Sequence, residues 1–280
     1  MPRYAIASAL TFPQKGPASF RPATRIMHVI PRLISFLCML GAAASLPAAD
    51  VEVSTVLRDA LAAETRFDTR DALTLFKQAD VLRPNDAMIL QKISKQYSDA
   101  TSDTTNLIER QRLSAEALTY AQRALALEPK NPVNVLSVAI CYGKLATLAD
   151  TRTKLQYSRY VKEYAEQALV LNPDYDYAHH VLGRWNYEVA TLGVTTRFLV
   201  RIVYGGLPDA STAEAVRQLR RAAALAPEKP AHRVELGLAL LADGQRDTAR
   251  QTLEAALAMP KVEKYDDESF ARARAALAKL

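Results

Sequence analysis

Tyr177, His180, Arg184, Tyr187 and Glu188 follow one another at intervals that place them on one face of a helix. Two phenols, an imidazole, a guanidinium and a carboxylate on one stripe suit recognition rather than bond breaking. Arg184 can fork a carboxylate or a phosphate, and Tyr and Arg carry much of the binding energy at protein interfaces. The same spacing allows a purely structural use: Arg184 and Glu188, four apart, can pair with each other, and Tyr177 and Tyr187 can pack under a neighbouring segment. Lys95 stands eleven residues after Pro84, as Arg184 does after Pro173, and Lys144 stands fifteen after Pro129, as Glu188 does after Pro173. Both lysines are therefore counted with the binding stripe.

Catalytic constellations do not assemble. His179 and His180 are adjacent, so on a helix they point about 100° apart and cannot chelate one metal ion. His232 has no His or Cys four residues on, and there is no HExxH, CxxC, GxGxxG or P-loop. Asp266, Asp267 and Glu268 fit the first turn of a helix, where its dipole favours negative charge. Cys141 reads as a small buried side chain, and Trp185, off the stripe, as core. The expectation is a non-enzymatic binding module with no cofactor and no metal.

The elements that must position these residues are helices. Nine glycines in 280 residues disfavour a turn-rich β fold. Prolines at 84, 129, 173, 227 and 260 punctuate a helical pattern that begins near Val51. Positions at fixed offsets from the first four agree: Ala79, Ala124, Ala168 and Ala222 lie five before, Ile93, Val138, Leu182 and Leu236 nine after, and Ser94, Ala139, Gly183 and Gly237 ten after. A small residue beside a large apolar one lets two helices approach and fills the gap. Pro230 to Glu263 places Leu236-Gly237, Leu240, Ala249, Leu253 and Ala256 at the spacing of a 34-residue tetratricopeptide repeat, with Asp243-Gly244 as its tight turn. On these residues the chain resembles the tetratricopeptide family. The expected fold is all-α, a tetratricopeptide-like right-handed helical-repeat solenoid with insertions between repeat helices and a C-terminal capping helix over Asp266 to Ala278.

Three insertions lengthen the units. Asp99 to Arg112 and Leu148 to Gln156 are polar and read as extended connections or helix continuations. Leu192 to Ser211 is different, with Phe198, Leu199, Val200, Ile202, Val203 and Tyr204 forming a short apolar helix closed by Gly205-Gly206 and Pro208. The stripe of the last unit, Ala231, Val234, Leu238, Leu241 and Ala242, is apolar and needs a cover. Phe198 to Tyr204 is the expected one. Left open, the stripe would suit a lipid tail or an amphipathic helix.

A narrower resemblance rests on HHVLGRWNYEVA (His179 to Ala190), AEQALVLNP (Ala165 to Pro173) and the apolar insertion with its GGLP. These strings resemble the regulator of microtubule dynamics family over roughly Leu90 to Leu280. The resemblance implies a helical adaptor, often membrane-anchored in eukaryotes and associated with microtubules or spindles.

Charge and the N-terminus bound the partners. The formal net charge is +6, but residues 1–49 hold Arg3, Lys15, Arg21, Arg25 and Arg32 and no acid, leaving 31 basic and 30 acidic residues in the body. A balanced body gives no field to attract nucleic acid. Met27 to Ala49 has the basic, apolar and small-residue zones of an export signal. An uncleaved anchor, with the body on the far side of the membrane, and an organelle transit peptide are the competing assignments. The expectations are a leader over 1–49, a single helical-repeat domain over 50–280, and a body that is periplasmic, secreted or membrane-anchored outside the cytoplasm. The expected partner is a protein or peptide held in the concave groove. A lipid or membrane is the alternative, and microtubules enter only through the family resemblance, for a cytosolic body.

Overall fold

A computed structural model describes residues 48–193, 196, 202–203 and 205–280, with side chains from residue 51 onward. The expected leader lies outside the described residues except for Ala48 and Ala49, which begin the first helix. Arg197 to Arg201 and Tyr204 of the apolar insertion lie outside them as well.

Among the described residues eleven helices of a dozen or more residues follow one another, and no strand occurs: α1 (Ala48–Thr65), α2 (Thr69–Leu82), α3 (Ala87–Ala100), α4 (Leu107–Leu127), α5 (Pro132–Ala146), α6 (Thr151–Leu171), α7 (Asp176–Ala190), α8 (Thr212–Leu225), α9 (Pro230–Ala242), α10 (Arg246–Leu257) and α11 (Asp266–Leu277). Each packs against the next, and α3, α5, α7, α9 and α11 also touch in succession. That second set of contacts defines an inner layer of odd-numbered helices backed by the even-numbered ones, the arrangement of a helical-repeat solenoid.

The residues repeated about each proline are the packing positions. Ala79, Ala124, Ala168 and Ala222 are fully buried, as are Ile93 and Val138, with Leu182 and Leu236 nearly so. Each of those alanines also ends a helix. Its carbonyl accepts the N–H of the residue that precedes the proline by one: Arg83, Glu128, Asn172 and Ala226. The proline has no N–H to extend the ladder, so the helix stops there. Asp86 and Asn131 then cap α3 and α5 by accepting from backbone N–H groups of the new first turn. At Gly183 a Cβ would fall 2.5 Å from Leu219 Cγ, and at Gly237 2.5 Å from Leu253 Cδ2. Helices α7 and α9 thus sit closer to α8 and α10 than any side chain would allow.

The two polar insertions become helix. Asn106 caps α4 and Asp150 caps α6, so Leu107–Arg112 and Thr151–Gln156 add length to outer helices of 21 residues each, while residues 101–106 form a connection. The expected capping helix is α11, and it corrects one expectation. Val234 and Leu238 of the apolar stripe are buried against Phe270, Ala273 and Ala276, with Leu241 packed beside them. Helix α11 therefore covers Val234 and Leu238, and all of Phe198–Tyr204 but Ile202 and Val203 lies outside the described residues. The two described residues of Phe198–Tyr204, Ile202 and Val203, are exposed. Val234 and Leu238 of the stripe are thus covered from within the chain, and Ala242 stays exposed.

Candidate functional site

The connector from α10 to α11 crosses the face of the inner helices. Asp266 Oδ2 accepts the N–H groups of Val262 and Glu263, both at 2.8 Å, which bends the chain just before α11. Three consecutive side chains then reach into the groove. Glu263 accepts the Tyr177 hydroxyl of α7. Lys264 donates to Thr69 at the start of α2 and to Asp103 between α3 and α4, the latter at 2.7 Å. The Tyr265 hydroxyl donates to Asp99 Oδ1 at 2.8 Å and to the Ser98 carbonyl at 3.1 Å, both on α3. Lys144 of α5 lies 4.3 Å from the centre of the Tyr265 ring, a cation–π contact. One short connector near the C-terminus thus touches four repeat units.

Of the sequence-predicted residues, Tyr177 and Lys144 touch the connector, and the others are engaged with neighbouring side chains. Lys95 reaches Asp99 at 2.7 Å and Glu64 of α1 at 3.2 Å. Burial would lower its pKa, but the two carboxylates outweigh that and raise it. Glu64 also accepts Lys92 at 2.6 Å and Gln96 at 3.0 Å. Lys144 is pushed down by burial, against the pull of Asp99 and Glu268. Arg184 donates to Glu188 at 2.8 Å, as the i,i+4 spacing allows, and lies 3.8 Å from Glu235 of α9. Glu235 is almost fully buried and is held chiefly by Arg272 of α11, which donates to both its oxygens. Tyr187 is half-buried against the clusters formed by α8 to α11, so its ring is a packing element as well as a stripe residue.

Tyr177 and His180 belong to a polar chain between α7 and α9. His232, 1% exposed, places Nε2 2.9 Å from Asp176 Oδ2 and Nδ1 2.9 Å from His180 Nδ1. A carboxylate only accepts, so His232 carries its proton on Nε2. Its Nδ1 and His180 Nδ1 share one hydrogen bond between the two rings. Burial pushes the His180 pKa well below the ordinary imidazole value, and His232, Arg184 and Arg272 push the same way. Asp176 also accepts Lys229 at 2.7 Å. The hydrogen bonds from His232 and Lys229 outweigh burial and keep its carboxyl below the usual range. Lys229 lies 3.6 Å from the centre of the Tyr177 ring. Glu263, by contrast, is pushed up to about 7 by burial first and then by Asp266.

Trp185, Cys141 and Asp266, read as structural, are placed accordingly. Trp185 is buried, and its indole N–H donates to the Ser158 carbonyl at 2.8 Å. Cys141 is buried, its thiol raised to about 11 by burial. His179 turns away from His180 to Gln218 and the Pro173 carbonyl, so the adjacent histidines do diverge. Asp266 opens α11 among acids in the first turn. Among the described residues no group of three His, Cys, Asp or Glu is placed to hold a metal ion.

Sequence reasoning missed Asp176, Lys229, Glu235, Glu263, Tyr265 and Arg272 as parts of the groove. Glu235 did carry a signal, being the one acid in the apolar helix PAHRVELGLALLA. Glu263 and Tyr265 carried none, because nothing in their local pattern shows that a connector will return to α2 and α3.

Known proteins match this architecture. A thermophilic TPR protein of Thermus thermophilus superposes with a TM-score of 0.58 at 21% identity, covering 81% of this chain and 99% of that one. Regulator of microtubule dynamics protein 3 of Xenopus laevis is 27% identical over 223 residues, which is 79% of this chain and 48% of the relative. Regulator of microtubule dynamics protein 1 of Bos taurus is 28% identical over 156 residues, 55% of this chain and 48% of the relative. The chain thus spans about half the length of these curated relatives. The model of regulator of microtubule dynamics proteins 1–3 matches residues 57–280, the stretch that runs from α1 through the groove-crossing connector to α11, and the chain belongs to that family.

Proposed function

We propose that the protein is a non-enzymatic helical-repeat adaptor that binds a segment of a partner protein in the groove of its inner helices. One observation carries the reading. That groove already holds a non-helical segment of polypeptide, Glu263 to Tyr265, through side chains from α2, α3, α5 and α7. A surface that seats three consecutive side chains of one peptide has the donors, acceptors and cation needed to seat another. Tyr177, His180, Arg184, Tyr187, Glu188, Lys95 and Lys144 are its proposed contacts. Family membership suggests microtubules as one destination for such an adaptor. The same reading applies to a cytosolic or an exported body, since the groove is built by the repeat domain alone.

The test is binding of the full chain to an array of random twelve-residue peptides, repeated with Arg184→Ala and Glu188→Ala together. Arg184 leaves Glu235 paired with Arg272, so the fold survives the change. The reading expects the double variant to keep its circular dichroism spectrum and melting temperature while its array hits weaken about tenfold, the loss of roughly 1.4 kcal/mol. Hits that bind the variant unchanged would place recognition elsewhere and overturn it.

A further inference from the structure

The connector is held in the groove by polar contacts, apart from the apolar packing of the last helix. The apolar packing of α11 rests on Phe270, Ala273 and Ala276. Glu263, Lys264 and Tyr265 instead spend their polar atoms on residues of α2, α3 and α7, up to 195 positions away in the chain. Each of the three has a partner suited to its chemistry. The Tyr177 hydroxyl donates to a carboxylate, and Asp103 and Thr69 accept from an ammonium. Asp99 and the Ser98 carbonyl accept from a phenol whose ring lies by Lys144. The receptor side thus specifies an acid, a base and a tyrosine in that order.

We infer that Glu263-Lys264-Tyr265 is an intramolecular ligand, and that the groove recognises a partner turn carrying the same Glu-Lys-Tyr order only when the connector swings out. This rests on the adaptor reading above and adds the ligand class and its regulation. A ligand tethered in cis acts at high effective concentration. The apparent affinity for an external peptide is therefore reduced by the fraction of molecules in which the groove is open. Polar contacts suit such a latch, because water replaces them at small net cost. The apolar seat of α11 stays in place and keeps the connector anchored.

The experiment uses a fluorescein-labelled peptide of residues 259–268 and the full chain, read by anisotropy. Wild type is compared with Glu263→Ala and Tyr265→Ala together. A second pair, Glu263→Gln and Tyr265→Phe, keeps the bulk of both side chains in case the alanine variant fails to fold. The inference expects a folded released variant to bind at least tenfold more tightly than wild type. It also expects that gain to vanish when the peptide itself carries Gln and Phe at the two positions, or when the released chain carries Asp99→Asn. No gain in either folded variant, or equal binding of the substituted peptide, overturns it. The random peptide array separates the two claims. Groove-dependent hits without binding of the Glu-Lys-Tyr peptide would sink this inference and leave the adaptor reading standing. No groove-dependent hit in wild type or released chain would sink both.

Discussion

Glu263 and His180 set opposite pH dependences on one groove. Glu263 faces Tyr177 and Asp176 of α7, Lys95 and Asp99 of α3 and Asp266 of α11, and its folded pKa is raised to about 7. A raised acid stabilises the fold below its unfolded value near 4.5, and this contribution is lost as pH rises through about 7. The folded pKa of His180 is lowered by burial and by His232, Arg184 and Arg272. Its contribution is therefore present above about 6.5 and lost as pH falls below that. The two slopes oppose each other where they overlap, so the variants must be measured apart. Urea midpoints from pH 4.5 to 8 should show that Glu263→Gln removes a decline towards neutral pH. His180→Gln should remove a loss on acidification. Identical profiles for wild type and both variants would contradict these assignments. The glycines give a third expectation at this scale. Gly237→Ala forces a Cβ against both Leu253 Cγ and Cδ2, at 2.6 and 2.5 Å, and overpacking of that kind costs about 1–3 kcal/mol. A melting temperature equal to wild type would mean that α9 and α10 are not in close contact.

At the scale of elements, α11 carries more than the name capping helix suggests. It closes the apolar stripe of α9 through Phe270, Ala273 and Ala276, and its Arg272 holds buried Glu235. Phe270→Ala should therefore cost about 3–5 kcal/mol in chemical unfolding. It should also expose apolar surface that an environment-sensitive dye detects before the main transition. Little of this pairing was legible in the sequence. The need for a cover was plain from Ala231, Val234, Leu238, Leu241 and Ala242. The choice of cover was not, because both α11 and Phe198–Tyr204 offer apolar side chains and only the path of the chain decides between them. The repeat itself was fully legible. A proline stop and the small–large pair at Leu182-Gly183 or Leu236-Gly237 are local rules, and the same rules recur four times. Two of the groove's predicted residues, Arg184 and Glu188, met the pairing that their spacing allows. The cross-groove partners of Tyr177, Lys144 and Arg184 were hidden, since contacts over 50 to 120 residues leave no periodic trace.

For the molecule as a whole, the connector between α10 and α11 ties the last unit of the solenoid to the first two. Lys264 reaches α2, Tyr265 reaches α3 and α5, and Glu263 reaches α7. A helical repeat otherwise conveys stability only between neighbouring units. This tie adds a contact across the array and fills the surface where a partner segment would sit. A double-mutant cycle measures it without any partner in hand. Tyr177→Phe removes only the hydroxyl and Glu263→Ala its acceptor, and each single variant and the double are unfolded in urea at pH 8, above the folded pKa of about 7. A coupling of about 0.5 kcal/mol or more between the two sites is expected. Strict additivity, with the two changes behaving as strangers, would mean that the connector does not rest in the groove.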